Sequence, residues 1–231
     1  MISLEIKVKC RKSEKLDWMK YDMIESEQKT VCAKNLCNGC MACINKCPIG
    51  CISIYDNYKS YNAVIDYSKC LKCNACRNVC PQEHKVIGKE PILWKQGWAD
   101  EKVRKQSSSG GIATSIMNSF IDEGGYVASC IFSNGKFVFK LTNDKNEIPQ
   151  FAGSKYVKSN PEDIYLCIKE KLKTNKVLFI GLPCQVAGVL NFVKDSSNLY
   201  TVDLICHGTP SPKLLQLFFK EHQIDMDTIG M

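Results

Sequence analysis

The stretch CNGCMACINKCP, residues 37–48, returns 33 residues later as CLKCNACRNVCP, residues 70–81. Both read Cys-x2-Cys-x2-Cys-x3-Cys-Pro, the spacing that ligates 4Fe–4S clusters in two-cluster ferredoxins. Three thiolates two residues apart on a tight loop can bind three irons of one cubane, and the fourth cysteine then reaches the other cluster. The repeat therefore predicts two clusters with crossed ligands, one held by Cys37, Cys40, Cys43 and Cys80 and the other by Cys70, Cys73, Cys76 and Cys47.

A pair of four-cysteine zinc sites is the alternative interpretation of this repeat. Zinc modules usually pair two Cys-x2-Cys knuckles across a longer insert, whereas here four close cysteines end twice in Cys-Pro, which favours iron–sulfur. Cys32 and Cys51 are expected to pack beside the runs rather than to ligate. Residues 51–55 and 63–67 predict two short strands that cover the clusters, and residues 2–10 alternate like a half-buried strand.

The composition agrees with an intracellular redox protein. Cysteine accounts for 15 of 231 residues, below the usage of a short disulfide scaffold, and the N-terminus has no apolar signal segment, so we expect a reducing, cytoplasmic compartment. The longest dense apolar stretch, residues 177–182, is far too short to span a membrane. The net charge of +7 is spread along the chain without aromatic interleaving, which argues against nucleic-acid binding.

After a linker over residues 85–100, strand and helix patterns alternate. Residues 126–132 and 136–141 flank Asn134-Gly135, the strongest short signal for a hairpin. Residues 176–181 and 200–206 predict strands, each followed by a Pro-initiated helix, and residues 161–173 predict another helix. This alternation implies parallel strands with sites at their carboxyl ends.

Small residues precede the helix predicted at residues 112–123. Ser108, Ser109, Gly110 and Gly111 leave backbone amides free at a helix N-terminus, which is a ready anion site for a phosphate or pyrophosphate. Ordinary N-capping by Ser109 is the alternative. A second small-residue turn, Gly153-Ser154-Lys155-Tyr156, could by itself be any surface loop.

Two cysteines of the second half fall near predicted strand ends. Cys184 and Cys206 are candidates for a redox thiol or for metal ligands, although a free cysteine is usually a small buried hydrophobe. Cys184 also lies near a helix N-terminus, where we expect a lowered thiol pKa. His207 is a candidate proton donor, and Cys130 and Cys167 are expected in the core.

Taken together, these segments resemble the coenzyme F-420 hydrogenase/dehydrogenase beta-subunit family over roughly residues 90–222. The matching stretches are SSSGGIATSI (107–116), AGSKYVKS (152–159), LFIGLPCQVAGV (178–189) and DLICHGTPS (203–211). The resemblance implies a flavin domain that binds FAD and is supplied with electrons by iron–sulfur clusters, with coenzyme F-420 or ferredoxin as candidate donors or acceptors. It makes Ser108–Gly111 an expected FAD phosphate site and Gly153–Tyr156 an expected flavin contact, and it raises Cys184 and Cys206 as ligands of an additional cluster.

The predicted fold is an α+β two-cluster ferredoxin-like module followed by an α/β flavin-type domain with a mixed, largely parallel sheet. Its predicted parts are an N-terminal extension (1–30), the two-4Fe–4S ferredoxin domain (31–88) and a beta-subunit-like domain (89–231), which we expect to be incomplete at its C-terminus. The predicted function is a flavin-dependent oxidoreductase that works with a redox partner protein, either ferredoxin or a catalytic subunit. The alternative is a non-catalytic ferredoxin-type subunit that docks on a partner enzyme.

Overall fold

The computed structural model describes residues 29–194 and 196–225. The strand predicted over residues 2–10 lies outside them. In the described part of the chain, no helix is long and apolar enough to cross a membrane. The fold is mixed α/β, with a ferredoxin-type unit first and a four-stranded, mostly parallel sheet after it.

Each cysteine run of the ferredoxin-type unit leads into a short helix. Helix α1 spans Ala42–Lys46, helix α2 spans Ala75–Val79, and the two helices pack on each other. In the sequence between the two helices, strands β1 (Ile52–Asp56) and β2 (Tyr61–Ile65) form an antiparallel hairpin. The two strands predicted between the cysteine runs are therefore present, shifted by one or two residues.

Helices α3 (Glu101–Lys105) and α4 (Ile112–Asp122) lead into the sheet. Strands β3 (Tyr126–Ser133) and β4 (Lys136–Thr142) form the predicted hairpin. Its turn residues, Asn134 and Gly135, have φ angles of 49° and 69°, as a two-residue turn with both φ positive requires. The Asn-Gly prediction is confirmed.

A 3-10 helix (Lys145–Phe151) and helix α5 (Ile164–Lys171) connect β4 to the centre of the sheet. The rest of the chain consists of strand β5 (Val177–Gly181), helix α6 (Pro183–Val193), strand β6 (Leu199–Asp203) and helix α7 (Pro212–Glu221). The strand order is β4-β3-β5-β6, antiparallel between β3 and β4 and parallel elsewhere.

The sheet is covered on both faces. Leu178 and Ile180 of β5 face a core built with α4 and the 3-10 helix, while Val177 and Phe179 face a core shared with α5 and α6. This second core also contains Ala42 of the ferredoxin-type unit. The ferredoxin-type unit therefore packs directly against the α5–α6 side of the sheet.

Two predicted boundaries differ from the structure by three residues. The chain at residues 161–163 forms a turn in which Glu162 has a positive φ of 47°, so α5 begins only at Ile164. Strand β6 ends at Asp203, opposite Gly181, where its neighbour β5 also ends. Cys206 consequently lies three residues beyond the strand rather than at its end.

The expectation that Cys130 and Cys167 lie in the core is wrong for Cys167. Helix α5 buries Ile164, Tyr165 and Ile168, which leaves Cys167 exposed. Cys130, on β3, is half-buried, and burial raises the pKa of its thiol to about 11.

Candidate metal centres and cofactor site

The two cysteine loops share one backbone shape. Gly39 and Met41 in the first loop have φ angles of 66° and 61°, and the equivalent Lys72 and Asn74 in the second have 55° and 57°. Left-handed backbone costs an ordinary L-residue roughly 1–2 kcal/mol, so its recurrence at the same two places of each loop marks a specified geometry. The sequence repeat is thus a structural repeat.

This backbone shape turns loop amides towards the cysteine sulfurs. The Gly39 amide donates to Cys37 Sγ over 3.4 Å, and the equivalent Lys72 amide donates to Cys70 Sγ over 3.3 Å. Hydrogen bonds to sulfur stabilise the thiolate form that binds metal and help to set the potential of an iron–sulfur cluster. The loops therefore suit a sulfur-rich, negatively charged group.

Two cavities bring the cysteines together across the repeat. The cavity beside the first loop is lined by the first three cysteines of the first run and the last of the second. The cavity beside the second loop is lined by the converse set, the first three cysteines of the second run and the last of the first. Each cavity thus gathers the four cysteines that the crossed prediction groups, namely Cys37, Cys40, Cys43 and Cys80 in one and Cys70, Cys73, Cys76 and Cys47 in the other. Among the described residues, no group of three or more His, Cys, Asp or Glu is placed to hold a single metal ion.

Each cavity also contains a fifth cysteine. Cys32 lines the first, and hydrogen bonding with its thiol lowers the pKa of Cys37 to about 7 and of Cys80 to about 6. Cys51 lines the second, with its Sγ 3.5 Å from Cys47 Sγ. Both extra cysteines are buried, and their assignment as packing residues stays a prediction.

The surroundings of the two cavities differ. Beside the second loop, Cys73 is exposed, Leu71 is 64% exposed and Ile49 is 41% exposed. In the first loop, by contrast, Cys40 is buried. The first cavity is therefore the more deeply buried of the two, and the second is the more exposed.

Helices α5 and α6 cover the first loop. The Tyr165 hydroxyl donates to the Cys40 carbonyl over 2.7 Å. Gly188 leaves room for the loop, because a Cβ added there would lie 3.4 Å from Ala42 Cβ and 3.5 Å from Cys40 Sγ. Asn191 donates to the His84 carbonyl over 2.7 Å, just beyond the second run. Sequence reasoning missed these side chains, since no local pattern distinguishes them from ordinary core residues.

Cys184, on α6, also lies at the contact between this helix and the first cysteine loop. Its thiol lies 3.9 Å from the Asn38 carbonyl of the first loop. Burial, together with the nearby Cys206, raises the pKa of Cys184, so the lowering expected from the helix N-terminus is wrong. Cys206 is half-buried and accepts a hydrogen bond from the Gly208 amide, and His207 is exposed.

The two segments expected to contact a flavin are adjacent in space. The Ser154 amide donates to Ser108 Oγ over 2.9 Å. The residue preceding α4 is Gly111, with a φ of 74° and no side-chain cap, so Ser109 is not the N-cap. Tyr156 is 78% exposed.

Lys155 is bound to its own turn. Its ammonium donates to the carbonyls of Phe151, Ala152 and Gly153 at 2.8, 2.7 and 3.1 Å. Burial lowers the pKa of this lysine. In this arrangement Lys155 stabilises the turn that carries Ser154.

Comparison with protein families identifies three consecutive regions. Residues 36–84 match the 4Fe-4S dicluster domain. Residues 95–162 match the N-terminal region of the coenzyme F420 hydrogenase/dehydrogenase beta subunit, and residues 174–231 match the C-terminal region of the same beta subunit. The two beta-subunit regions together cover more than half of the chain.

Individual relatives are distant. An uncharacterized protein of Methanocaldococcus jannaschii is 23% identical over 198 residues, covering 71% of this chain and 55% of that protein. The F subunit of F(420)H(2) dehydrogenase from Methanosarcina mazei is 22% identical over 188 residues, covering 74% of this chain and 53% of that protein. A solved structure, of the F420-reducing [NiFe] hydrogenase complex from Methanosarcina barkeri, matches with 23% identity and a TM-score of 0.47 over 56% of this chain and 49% of that one. The chain spans about half the length of the two curated relatives.

Proposed function

Because the chain belongs to the coenzyme F420 hydrogenase/dehydrogenase beta-subunit family and carries a 4Fe–4S dicluster domain, we propose that it is an iron–sulfur flavoprotein oxidoreductase. Electrons pass through two 4Fe–4S clusters to or from FAD and are exchanged with an external donor or acceptor. Coenzyme F420 and ferredoxin are the candidate partners in this exchange. The observation that supports the proposal most directly is the pair of four-cysteine cavities, one of them packed against the α/β unit.

The residues that hold the clusters in this proposal are the eight cysteines of the two runs. Their thiolates bind the irons, while loop amides such as those of Gly39 and Lys72 donate to sulfur and offset its charge. A bound 4Fe–4S cluster supplies one-electron chemistry whose potential depends on hydrogen bonds to its sulfurs and on solvent exposure. The chain's own contribution is to fix that environment.

The different exposure of the cavities supports an order for electron transfer. The exposed surface around Cys73 and Leu71 suits exchange with a partner protein. The loop containing Cys40, covered by α5 and α6, suits transfer to or from the α/β unit. In the proposed order, the second-run site is therefore the outer site and the first-run site is the inner one.

FAD is proposed to bind where Ser108, Ser109, Gly110 and Gly111 precede α4, with the turn from Gly153 to Tyr156 beside it. The hydrogen bond between Ser154 and Ser108 supports this, because it joins the two segments into one surface. The N-terminus of α4 has no side-chain cap and presents the positive end of the helix dipole, which favours a pyrophosphate. Residues with candidate catalytic roles are Cys184, Cys206 and His207.

A cofactor inventory of anaerobically purified protein tests the proposal. We expect about eight irons and about eight sulfides per chain, with about one FAD. Clusters without flavin would favour the alternative of a non-catalytic electron-transfer subunit docked on a partner enzyme. Colourless protein that contains zinc would contradict both.

A further inference from the structure

Lys158 is a buried cation beside the first cysteine loop. The residue is 8% exposed, and no Asp or Glu oxygen in the described part of the chain lies within 4.0 Å of its ammonium. The ammonium donates to Cys184 Sγ over 3.9 Å. Burying an unpaired charge is costly, so a lysine in this position calls for a source of negative charge nearby.

The lysine is held against the first cysteine loop. A Cβ added to Gly39 would meet the Cδ and Cε atoms of Lys158 at 3.5 Å, and Gly39 lies between the cysteines at positions 37 and 40. The Lys158 backbone amide donates to the Pro210 carbonyl over 3.0 Å, which anchors the side chain from the α/β unit. Cys184 is a candidate for a counter-charge, but burial raises the pKa of its half-buried thiol in spite of the opposing effect of Lys158.

We propose that Lys158 is a positioning residue that raises the reduction potential of the cluster held by Cys37, Cys40, Cys43 and Cys80. This inference rests on the proposed function, because the negative charge it invokes is that of the bound cluster and its thiolates. Reduction adds one electron, taken from the other cluster or from the flavin, and no proton. A nearby ammonium in a low-dielectric setting favours the more negative, reduced form.

The second loop differs at the equivalent position. The residue equivalent to Gly39 is Lys72, whose side chain is exposed and therefore screened by solvent. Among the described residues, the first loop thus has the buried Lys158 beside it, whereas the lysine of the second loop, Lys72, is exposed. We expect the inner cluster to be easier to reduce than it would be without Lys158.

The test is a redox titration of the anaerobic holoprotein, followed by EPR. Lys158→Met removes the charge but keeps the stem that packs on Gly39. At a given applied potential, we expect the ratio of oxidised to reduced cluster to rise tenfold for one of the two clusters. This is a fall of about 59 mV in the reduction potential of that one-electron couple. Lys158→Arg keeps the charge, so its ratio of oxidised to reduced cluster should stay within threefold of that in the unmodified protein. Lys136→Met, at the exposed hairpin turn, loses the same formal charge and should shift neither couple.

A second variant identifies the couple that moves. Cys73→Ser alters an exposed cysteine of the second run, so the couple it perturbs should differ from the one that Lys158→Met shifts.

Three results would overturn the inference. The first is that Lys158→Met, at full iron and sulfide content, changes neither reduction potential. The second is that Lys136→Met shifts a potential as much as Lys158→Met does, and the third is that Lys158→Met loses iron. The absence of iron and sulfide from the unmodified protein would instead refute the proposed function.

Discussion

Replacing Tyr165 by phenylalanine isolates one hydrogen bond between the α/β unit and the first cysteine loop. Tyr165 is fully buried, and its hydroxyl donates to the Cys40 carbonyl over 2.7 Å, across 125 residues of sequence. Its ring packs against Phe192 and Phe179, with centroids 5.7 and 6.3 Å away. Phenylalanine retains the ring and removes only the hydroxyl.

The expected cost follows from burial. Removing one partner of a buried hydrogen bond leaves the other desolvated, which costs about 1–3 kcal/mol. For a chain of 150–250 residues, each kcal/mol lowers the melting temperature by about 2–4 °C, so Tyr165→Phe should lower it by roughly 2–12 °C. The loss should arise where α5 contacts the loop that contains Cys40.

The assay is anaerobic denaturant unfolding of the cluster-loaded protein, with Tyr156→Phe as the matched control. Tyr156 is 78% exposed, and its replacement should change the free energy of unfolding by less than about 0.5 kcal/mol. If Tyr165→Phe were no less stable than Tyr156→Phe, the hydrogen bond would contribute nothing to joining the two units.

Two further predictions concern the cofactors. In a Cys51→Ser background, which removes the adjacent thiol, Cys47→Ser should lower iron from about eight to about four per chain and abolish the EPR signal of the cluster on the second run. Cys80→Ser should abolish the EPR signal of the cluster on the first run. If each variant instead lost the cluster on the run that contains the mutated cysteine, the ligands would not be crossed. Gly111→Val should lower FAD content at constant iron, because Gly111 has a φ of 74° and its added Cβ would lie 3.0 Å from Ala99 Cβ. Gly88→Val, where a Cβ meets nothing within 4 Å, is the control, and equal flavin content in both variants would count against the site.

Local patterns predicted local structure well. The turn at Asn134-Gly135 and the helices beginning at Pro183 and Pro212 depend on backbone preferences of single residues, which the sequence displays directly. The end of β6 at Asp203 depends instead on where its partner strand β5 stops. Sequence patterns do not record that constraint, so the strand prediction ran three residues too far.

Contacts between the two units were beyond sequence reasoning for a similar reason. The crossed grouping of cysteines could be predicted because the motif itself specifies a fourth cysteine for the neighbouring cluster. Nothing comparable marks Tyr165, Gly188 or Lys158, whose importance comes from residues more than 100 positions away. Lys158 lies inside the family-like stretch at residues 152–159, but the small-residue turn of that stretch contains only Lys155.

The difference between the two loops arises where the repeat is imperfect. Both loops need left-handed backbone at the residue two positions after their first cysteine, and the first meets this need with Gly39, the second with Lys72. Glycine has no side chain, so the Tyr61 ring and the Lys158 stem approach to 3.4 and 3.5 Å from where a Cβ would be. A lysine at position 39 would have to place its side chain in the space that these two residues fill, whereas at position 72 the side chain extends into solvent. The difference between Gly39 and Lys72, one of five between the two twelve-residue runs, therefore agrees with one covered cluster site and one exposed site.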